Sequence, residues 1–108
     1  MQTLPVFKND IPYSADIRIE GTTFTFTFNY NSDGDFFTVD LSKNGEVLAI
    51  GEKAVYGSPL FAPYLDDRFP MLPIIPLDAS GQSDRVGWQE LGSEVFLYLV
   101  GPEGSEND

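Results

Sequence analysis

The sequence predicts an all-β protein, a small antiparallel meander that forms a barrel or a sandwich of about six strands. Polar and apolar side chains alternate strictly from Thr23 to Asn31, which is the pattern of a strand with one buried and one wet face. Asn44-Gly45 is a signal for a tight hairpin turn. Further turn signals recur at roughly 8 to 12 residues, as in small β domains, so at most short helical turns are expected.

Residues 1–14 are predicted to form an extended arm. Pro5 and Pro12 interrupt this segment, and its apolar residues are isolated from one another. Because a residue before proline is driven into an extended conformation, Ile11 is expected to be extended. Residues 15–100 then form a single β domain, since a chain of 108 residues is long enough for one independent core.

The central part of the chain predicts a four-stranded meander. Its first hairpin covers Asp16–Asn31, with the turn at Gly21. The second strand directs an aromatic stripe into the core, consisting of Phe24, Phe26, Phe28 and Tyr30. The third strand has an inner face made of Phe37, Val39 and Leu41. The Asn44-Gly45 turn leads into a fourth strand over Val47–Ile50.

The pattern is less regular after Gly51. Prolines punctuate the run from Pro70 to Leu77, and because proline donates no hydrogen bond to a ladder, this run is predicted to be an edge strand. Glu94–Val100 is apolar on both faces, which is typical of a central strand covered on both sides. Residues 101–108 are predicted to form an acidic flexible tail.

Composition excludes several classes of function. The chain has no Cys and no His, which removes disulfides, thiolate nucleophiles, imidazole bases and most transition-metal sites. Its net charge of -11 opposes direct binding to nucleic acid or to an anionic membrane surface. The N-terminus has no basic segment followed by an apolar core, so the chain is expected to be cytosolic when made. No cofactor or metal is expected.

Two constellations could in principle carry chemistry. The spacing from Asn29 through Asp33-Gly34-Asp35 imitates the start of a calcium-binding loop, but it falls in a strand and a hairpin turn, so we interpret it as a turn. The carboxylate pairs Asp66-Asp67, or Asp84 with Glu90, could serve as acid and base. A chain with 17 acidic residues contains such pairs by chance, so no enzymatic activity is expected.

The apolar, proline-rich segment 59–76 is the best candidate for a protein interface. It carries more large apolar side chains than one edge strand needs in order to cover the core, although plain core is the other interpretation. Together with the arm, it gives these candidate interface residues: Pro5, Phe7, Leu60, Phe61, Tyr64, Leu65, Phe69, Met71 and Leu72.

Several short motifs follow one another along residues 11–100. They are Ile11-Pro12, Ile17–Gly21, Tyr30-Asn31, Phe36-Phe37, Val39–Leu41, Asn44-Gly45, Gly51, Leu77–Gly81, Leu91-Gly92 and Val95–Tyr98. In this order and spacing they resemble the baseplate plug family of contractile-tailed phages. The resemblance covers nearly the whole domain.

The resemblance implies a structural virion protein, a plug in the central hub and spike region of the baseplate that helps close the distal end of the tail tube. No catalytic residues come with it. The implied partners are other baseplate hub and spike proteins and the end of the tail tube, with the chain in a symmetric oligomer within the assembly. The implied location is the tail baseplate of the virion, after synthesis in the host cytoplasm.

Two other functions remain open from the sequence. The chain could be a carbohydrate- or receptor-binding β module of a phage tail that uses exposed aromatic side chains such as Phe36, Tyr64 or Trp88. An acidic mimic of DNA is the weaker alternative, because the acids lie in turns and in the tail and are not spaced regularly along one face.

Overall fold

The computed structural model describes residues 2–62 and 67–101, which form two antiparallel sheets. The strands are β1 (Gln2–Leu4), β2 (Tyr13–Ile19), β3 (Thr22–Asn31), β4 (Phe36–Lys43), β5 (Glu46–Lys53), β6 (Ile74–Leu77) and β7 (Phe96–Leu99). One 3₁₀ turn, Lys8–Asp10, is the only helical element in these residues. The predicted all-β class is confirmed. The described part of the chain holds no helix long and apolar enough to cross a membrane.

The larger sheet is the predicted meander, with its strands in the order β2-β3-β4-β5. Glu20 and Gly21 join the first two strands, and both have positive φ angles, 49° and 81°. Asn44 and Gly45 join the last two with φ angles of 53° and 81°. These are the angles of type I′ turns, whose twist matches that of the flanking strands. The first hairpin is longer than predicted because β2 begins at Tyr13.

The smaller sheet has the order β1-β7-β6 and brings together the two ends of the described chain. β6 lies at the edge, as its prolines predicted, and β7 lies in the centre. The segment predicted to be an arm contributes to both sheets. Gln2–Leu4 pairs with β7, and Tyr13 and Ser14 pair with β3.

The two sheets share one hydrophobic core and do not close into a barrel. The larger sheet contributes Phe24, Phe26 and Phe28 of the predicted stripe, with Phe37, Val39 and Leu41 of β4. Tyr30, the fourth residue of the stripe, is only partly buried against this core. The smaller sheet contributes Leu4, Ile74, Leu97 and Leu99. Phe26 is 0% exposed and stacks on Phe28, with 6.1 Å between the ring centroids.

Two expectations about the strands were wrong. β7 is not covered on both sides, since Leu97 and Leu99 are buried but Phe96 is 36% exposed. The fourth strand, β5, is longer than Val47–Ile50 and irregular, because its pairing with β4 slips by one residue twice. Val47 lies opposite the outward-facing Ser42 and points to solvent. A slip of one residue turns the following side chains to the opposite face, so Ile50, beyond the first slip, points to solvent as well.

Candidate interface surfaces

The proline-rich candidate segment divides between core and surface. Leu60, Phe61 and Phe69 are buried and complete the core at one end, whereas Met71 is 75% exposed and Leu72 is half-buried. Tyr64 and Leu65 lie outside the described residues. Residues 59–62 and 69–74 line a groove of about 290 Å³, which we call the proline groove.

An unusual backbone conformation shapes the proline groove. Phe61 has a φ of 62°, which is disfavoured for a bulky side chain. Two contacts hold it there. The Phe61 N–H donates to Glu52 Oε2 at 2.8 Å, and the ring packs against Phe69, with 5.8 Å between centroids. The carboxylate of Glu52 therefore fixes the floor of the groove from β5.

The two arm candidates lie at a second groove, on the other side of β7. Pro5 and Phe7 line it together with Phe96 and the turn at Leu91-Gly92, around a volume of about 240 Å³. We call this the arm groove. Phe7 is 58% exposed, and its backbone N–H donates to the Tyr13 hydroxyl at 2.9 Å. The structure thus places those predicted interface residues that it describes at two separate grooves.

The outward side of the smaller sheet is uncharged and largely apolar. Because directly paired residues of a sheet point to the same side, the register assigns this side to Thr3, Ile75, Leu77, Phe96 and Tyr98. We call these residues the apolar outer face. Thr3 and Phe96 are exposed and the other three are half-buried. The three strands of this sheet contain no charged residue.

The outward side of the larger sheet has the opposite character. Over most of its area it consists of Ser14, Asp16 and Arg18 of β2, Thr23, Thr25, Thr27 and Asn29 of β3, and Thr38, Asp40 and Ser42 of β4. Its apolar members lie near the ends and the β5 edge and are Phe36, Val47 and Ile50. Neighbours on this face bond to each other, as in the 2.7 Å bond from the Thr25 hydroxyl to Asp16 Oδ1. In a protein with a net charge of -11, the apolar outer face of the smaller sheet is therefore the distinctive surface.

Trp88, a candidate for ligand stacking, is held inside a cluster around Asp35. The Tyr30 hydroxyl and the backbone N–H of Trp88 donate to Asp35 Oδ1 at 2.6 and 2.8 Å, and Arg85 pairs with Oδ2. The pKa of Asp35 lies below its ordinary value, mainly because its carboxylate accepts the hydrogen bond from Tyr30 and also because of the backbone N–H of Trp88 and the charge of Arg85. The bond between Tyr30 and Asp35 also raises the pKa of Tyr30. Lys8 Nζ lies 5.3 Å from the indole centroid.

These contacts reduce the aromatic surface that is open to a ligand. Tyr30 and Phe37 pack on Trp88 with centroid distances of 4.9 and 6.0 Å. Lys53 Nζ lies 4.6 Å from the ring centroid of Phe36. Neither ring therefore presents a free, flat platform of the kind that stacks on sugars.

The groups that imitated a calcium loop have other bonds in the turn. Asn31 Oδ1 accepts from the Gly34 N–H at 3.0 Å, which is a side-chain turn closure, and Asp35 belongs to the Trp88 cluster. Within the described residues, no group of three acidic side chains is placed to hold a metal ion. Of the carboxylate pairs, Glu90 accepts from the Gly87 N–H at 3.0 Å, and Asp66 lies outside the described residues.

The loop after β6 depends on Asp78, whose role the sequence analysis missed. The side chain is 8% exposed. Its carboxylate accepts four hydrogen bonds, from the Ser80 hydroxyl at 2.7 Å and from the N–H groups of Ser80, Gln82 and Ser83 at 2.9, 3.1 and 2.8 Å. The bond from the Ser80 hydroxyl is the main reason that the pKa of Asp78 lies below its ordinary value. An Asp two residues before a Ser-Gly pair is typical of a turn, and it is the sequence feature from which this loop could have been predicted.

Comparison with known families agrees with the resemblance found in the sequence. Residues 1–103 match the family described as cyanophage baseplate Pam3 plug gp18. No curated protein matches the chain. The matching family is a structural one and not a class of enzymes. The chain therefore belongs to the cyanophage baseplate Pam3 plug gp18 family, and it is a structural component of the phage tail baseplate that associates with other baseplate components.

Proposed function

We propose that this chain is a plug in the central hub and spike region of the baseplate, that it helps close the distal end of the tail tube, and that it docks there through the apolar outer face. The observation that carries the proposal is the uncharged surface around Phe96 and Tyr98, and Phe96 also lines the arm groove. A closing element needs a rigid body and a surface that neighbouring chains cover. The shared core and this face supply both.

The pattern of β7 supports a partner that covers its second side. A strand that is apolar on both faces is typical of a strand buried on both faces, and here the described chain covers only the face of Leu97 and Leu99. Covering the exposed 36% of Phe96 removes about 70 Å² from water, given a total of about 200 Å² for such a side chain. This stabilises the complex by about 2 kcal/mol, or roughly 20-fold in affinity.

The two grooves enlarge the surface that a partner contacts. A stable interface buries about 800 Å² on each partner, which is more than the apolar outer face offers alone. Met71 at the proline groove and Phe7 at the arm groove are 75% and 58% exposed, so they offer a partner further apolar surface. We expect the hub and tube-end surfaces that receive the plug to be apolar at the centre and basic at the rim, which complements the acidic chain. Several copies arranged about the tail axis would form a symmetric closure.

Complementation of a phage that lacks this chain tests the proposal. Phe7→Asp and Phe96→Asp each place a charge on the docking surface, so we expect a strong reduction in finished, infectious virions. Val47→Asp is the matched control, because Val47 is 62% exposed on the other sheet and should tolerate the charge. Thermal unfolding of the purified variants shows whether each one folds. Normal virion yield from a folded Phe7→Asp variant would contradict docking through this side.

A further inference from the structure

In the described part of the chain, the larger sheet has one regular edge that no other strand pairs with and that is exposed along its outward residues. β5 forms one edge, but two slips in its pairing with β4 interrupt it. β2 forms the other edge and pairs with β3 without a slip from Tyr13 to Ile19. In the smaller sheet, β1 has only three residues and β6 contains Pro76. Since short strands, bulges and proline all protect an edge, β2 is the edge best suited to receive another strand.

The backbone groups on the free side of β2 belong to alternate residues. The two-residue turn at Glu20-Gly21 makes Ile19 and Thr22 a hydrogen-bonded pair, so the odd-numbered residues of β2 bond to β3. Ser14, Asp16 and Arg18 therefore direct their N–H and C=O groups away from the sheet. No hydrogen bond from the described residues reaches these backbone groups.

The charges on β2 are complementary to those of a second β2 strand. If two such strands pair antiparallel about a two-fold axis at Ile17, Asp16 of each copy lies opposite Arg18 of the other. Both residues are among those with free backbone groups, so this register also forms the required ladder bonds. A shift by two residues either way sets Asp16 opposite Asp16 or Arg18 opposite Arg18, and like charges directly opposite are destabilising.

We propose that β2 is a self-association edge, on which a second copy of this chain pairs antiparallel with Ile17 on the two-fold axis. The two four-stranded sheets then form one continuous sheet of eight strands. Arg18 has no ion-pair partner among the described residues and gains one in Asp16 of the second copy. Ile17, which is half-buried in the single chain, packs against its symmetry mate. This pairing does not depend on where the chain sits in the baseplate.

Charge exchange on the purified chain tests both the edge and the register. Sedimentation equilibrium should show a dimer that dissociates on dilution. Asp16→Arg and Arg18→Asp each place like charges opposite one another at two symmetric positions, so each should weaken dimerisation roughly 10-fold or more. The double variant Asp16→Arg/Arg18→Asp restores both ion pairs and should recover the dimer. Asp33→Arg, in an exposed turn away from the edge, is the control for net charge and should leave the dimer unchanged.

A backbone variant separates strand pairing from simple charge attraction. Ser14→Pro removes an outward N–H and no backbone bond to β3, and the only bond to β3 that it loses is the exposed hydroxyl contact with Thr27. It should therefore abolish the dimer while circular dichroism shows an unchanged fold. A chain that stays monomeric up to roughly millimolar concentration overturns the proposal. So does a dimer that is insensitive to Ser14→Pro, or a double variant that does not recover.

Discussion

The bond between Glu52 and the backbone of Phe61 gives the sharpest prediction about how the proline groove is built. Phe61 has a φ of 62°, a conformation that costs roughly 1–2 kcal/mol for a residue with a side chain. The Glu52 carboxylate accepts its N–H at 2.8 Å, and a hydrogen bond to a charged group contributes about 1.5–3 kcal/mol. Glu52→Ala removes the bond, but relaxation of Phe61 offsets part of the loss. We expect a net decrease of about 1–2 kcal/mol in the free energy of unfolding.

Urea and thermal unfolding measure this effect. For a domain of this size, a loss of about 1–2 kcal/mol lowers Tm by roughly 5–15 °C. Glu52→Gln keeps an oxygen acceptor and should cost less than half as much. Glu46→Ala is the matched control on the same strand, because Glu46 pairs with Arg68 at the surface, at 2.7 Å, and such pairs contribute about 0–1 kcal/mol. Equal stability of the wild type and Glu52→Ala would refute the role of this bond in holding Phe61.

Three further predictions concern the core, the Asp78 loop and the Trp88 cluster. Phe26→Ala should lower the free energy of unfolding, measured in urea, by about 3–5 kcal/mol, because the side chain is fully buried. Thr25→Ala, on the solvent-facing side of β3, should lower it by only about 1 kcal/mol. Equal losses would mean that β3 does not have one buried and one solvent-facing side. Because the pKa of Asp78 is lowered in the folded state, its contribution to stability is complete above the ordinary pKa of about 3.9 and is lost as the pH falls through the folded value. Urea unfolding between about pH 6 and pH 2 should therefore show a shallower acid decline for Asp78→Asn than for the wild type, and parallel curves would count against this role. Asp35→Ala removes the acceptor of both the Trp88 backbone N–H and the Tyr30 hydroxyl, and Tyr30 packs on the indole, so the tryptophan emission should shift to longer wavelength. No shift, or the same shift in Asp33→Ala, would show that Asp35 does not hold this part of the chain in place.

The meander could be predicted because its information is local. Alternation in Thr23–Asn31 fixes which side of β3 is buried, and the turn residues at Gly21 and Asn44-Gly45 fix the connections. The smaller sheet depends on pairing between the two ends of the chain, so only the edge position of β6 and the central position of β7 were predictable. One of the two slips of β5 falls at Gly51, whose φ is 73°, and a glycine inside a strand is a sequence signal for such a bulge. The other slip, between Val47 and Ala49, has no comparable signal in the sequence.

The candidate interface was harder to predict because hydrophobicity does not distinguish core from contact surface. Phe69 and Met71 are both apolar and close in sequence, yet the first is buried and the second is exposed. The pattern of Glu94–Val100 correctly indicated a strand with two apolar faces, but it does not say which molecule covers each face. The apolar outer face at Phe96 and Tyr98 was therefore missed until the fold was known.

The most direct test of the account is a cryo-electron microscopy reconstruction of the intact virion tail, with this chain fitted into the baseplate. We predict density for the chain on the tail axis at the distal end of the tube, with a neighbouring hub or tube protein against Phe96 and Tyr98. Density at the centre with these side chains open to solvent would contradict docking through the apolar outer face. Density at the fibre tips, or none in the baseplate, would contradict the plug itself.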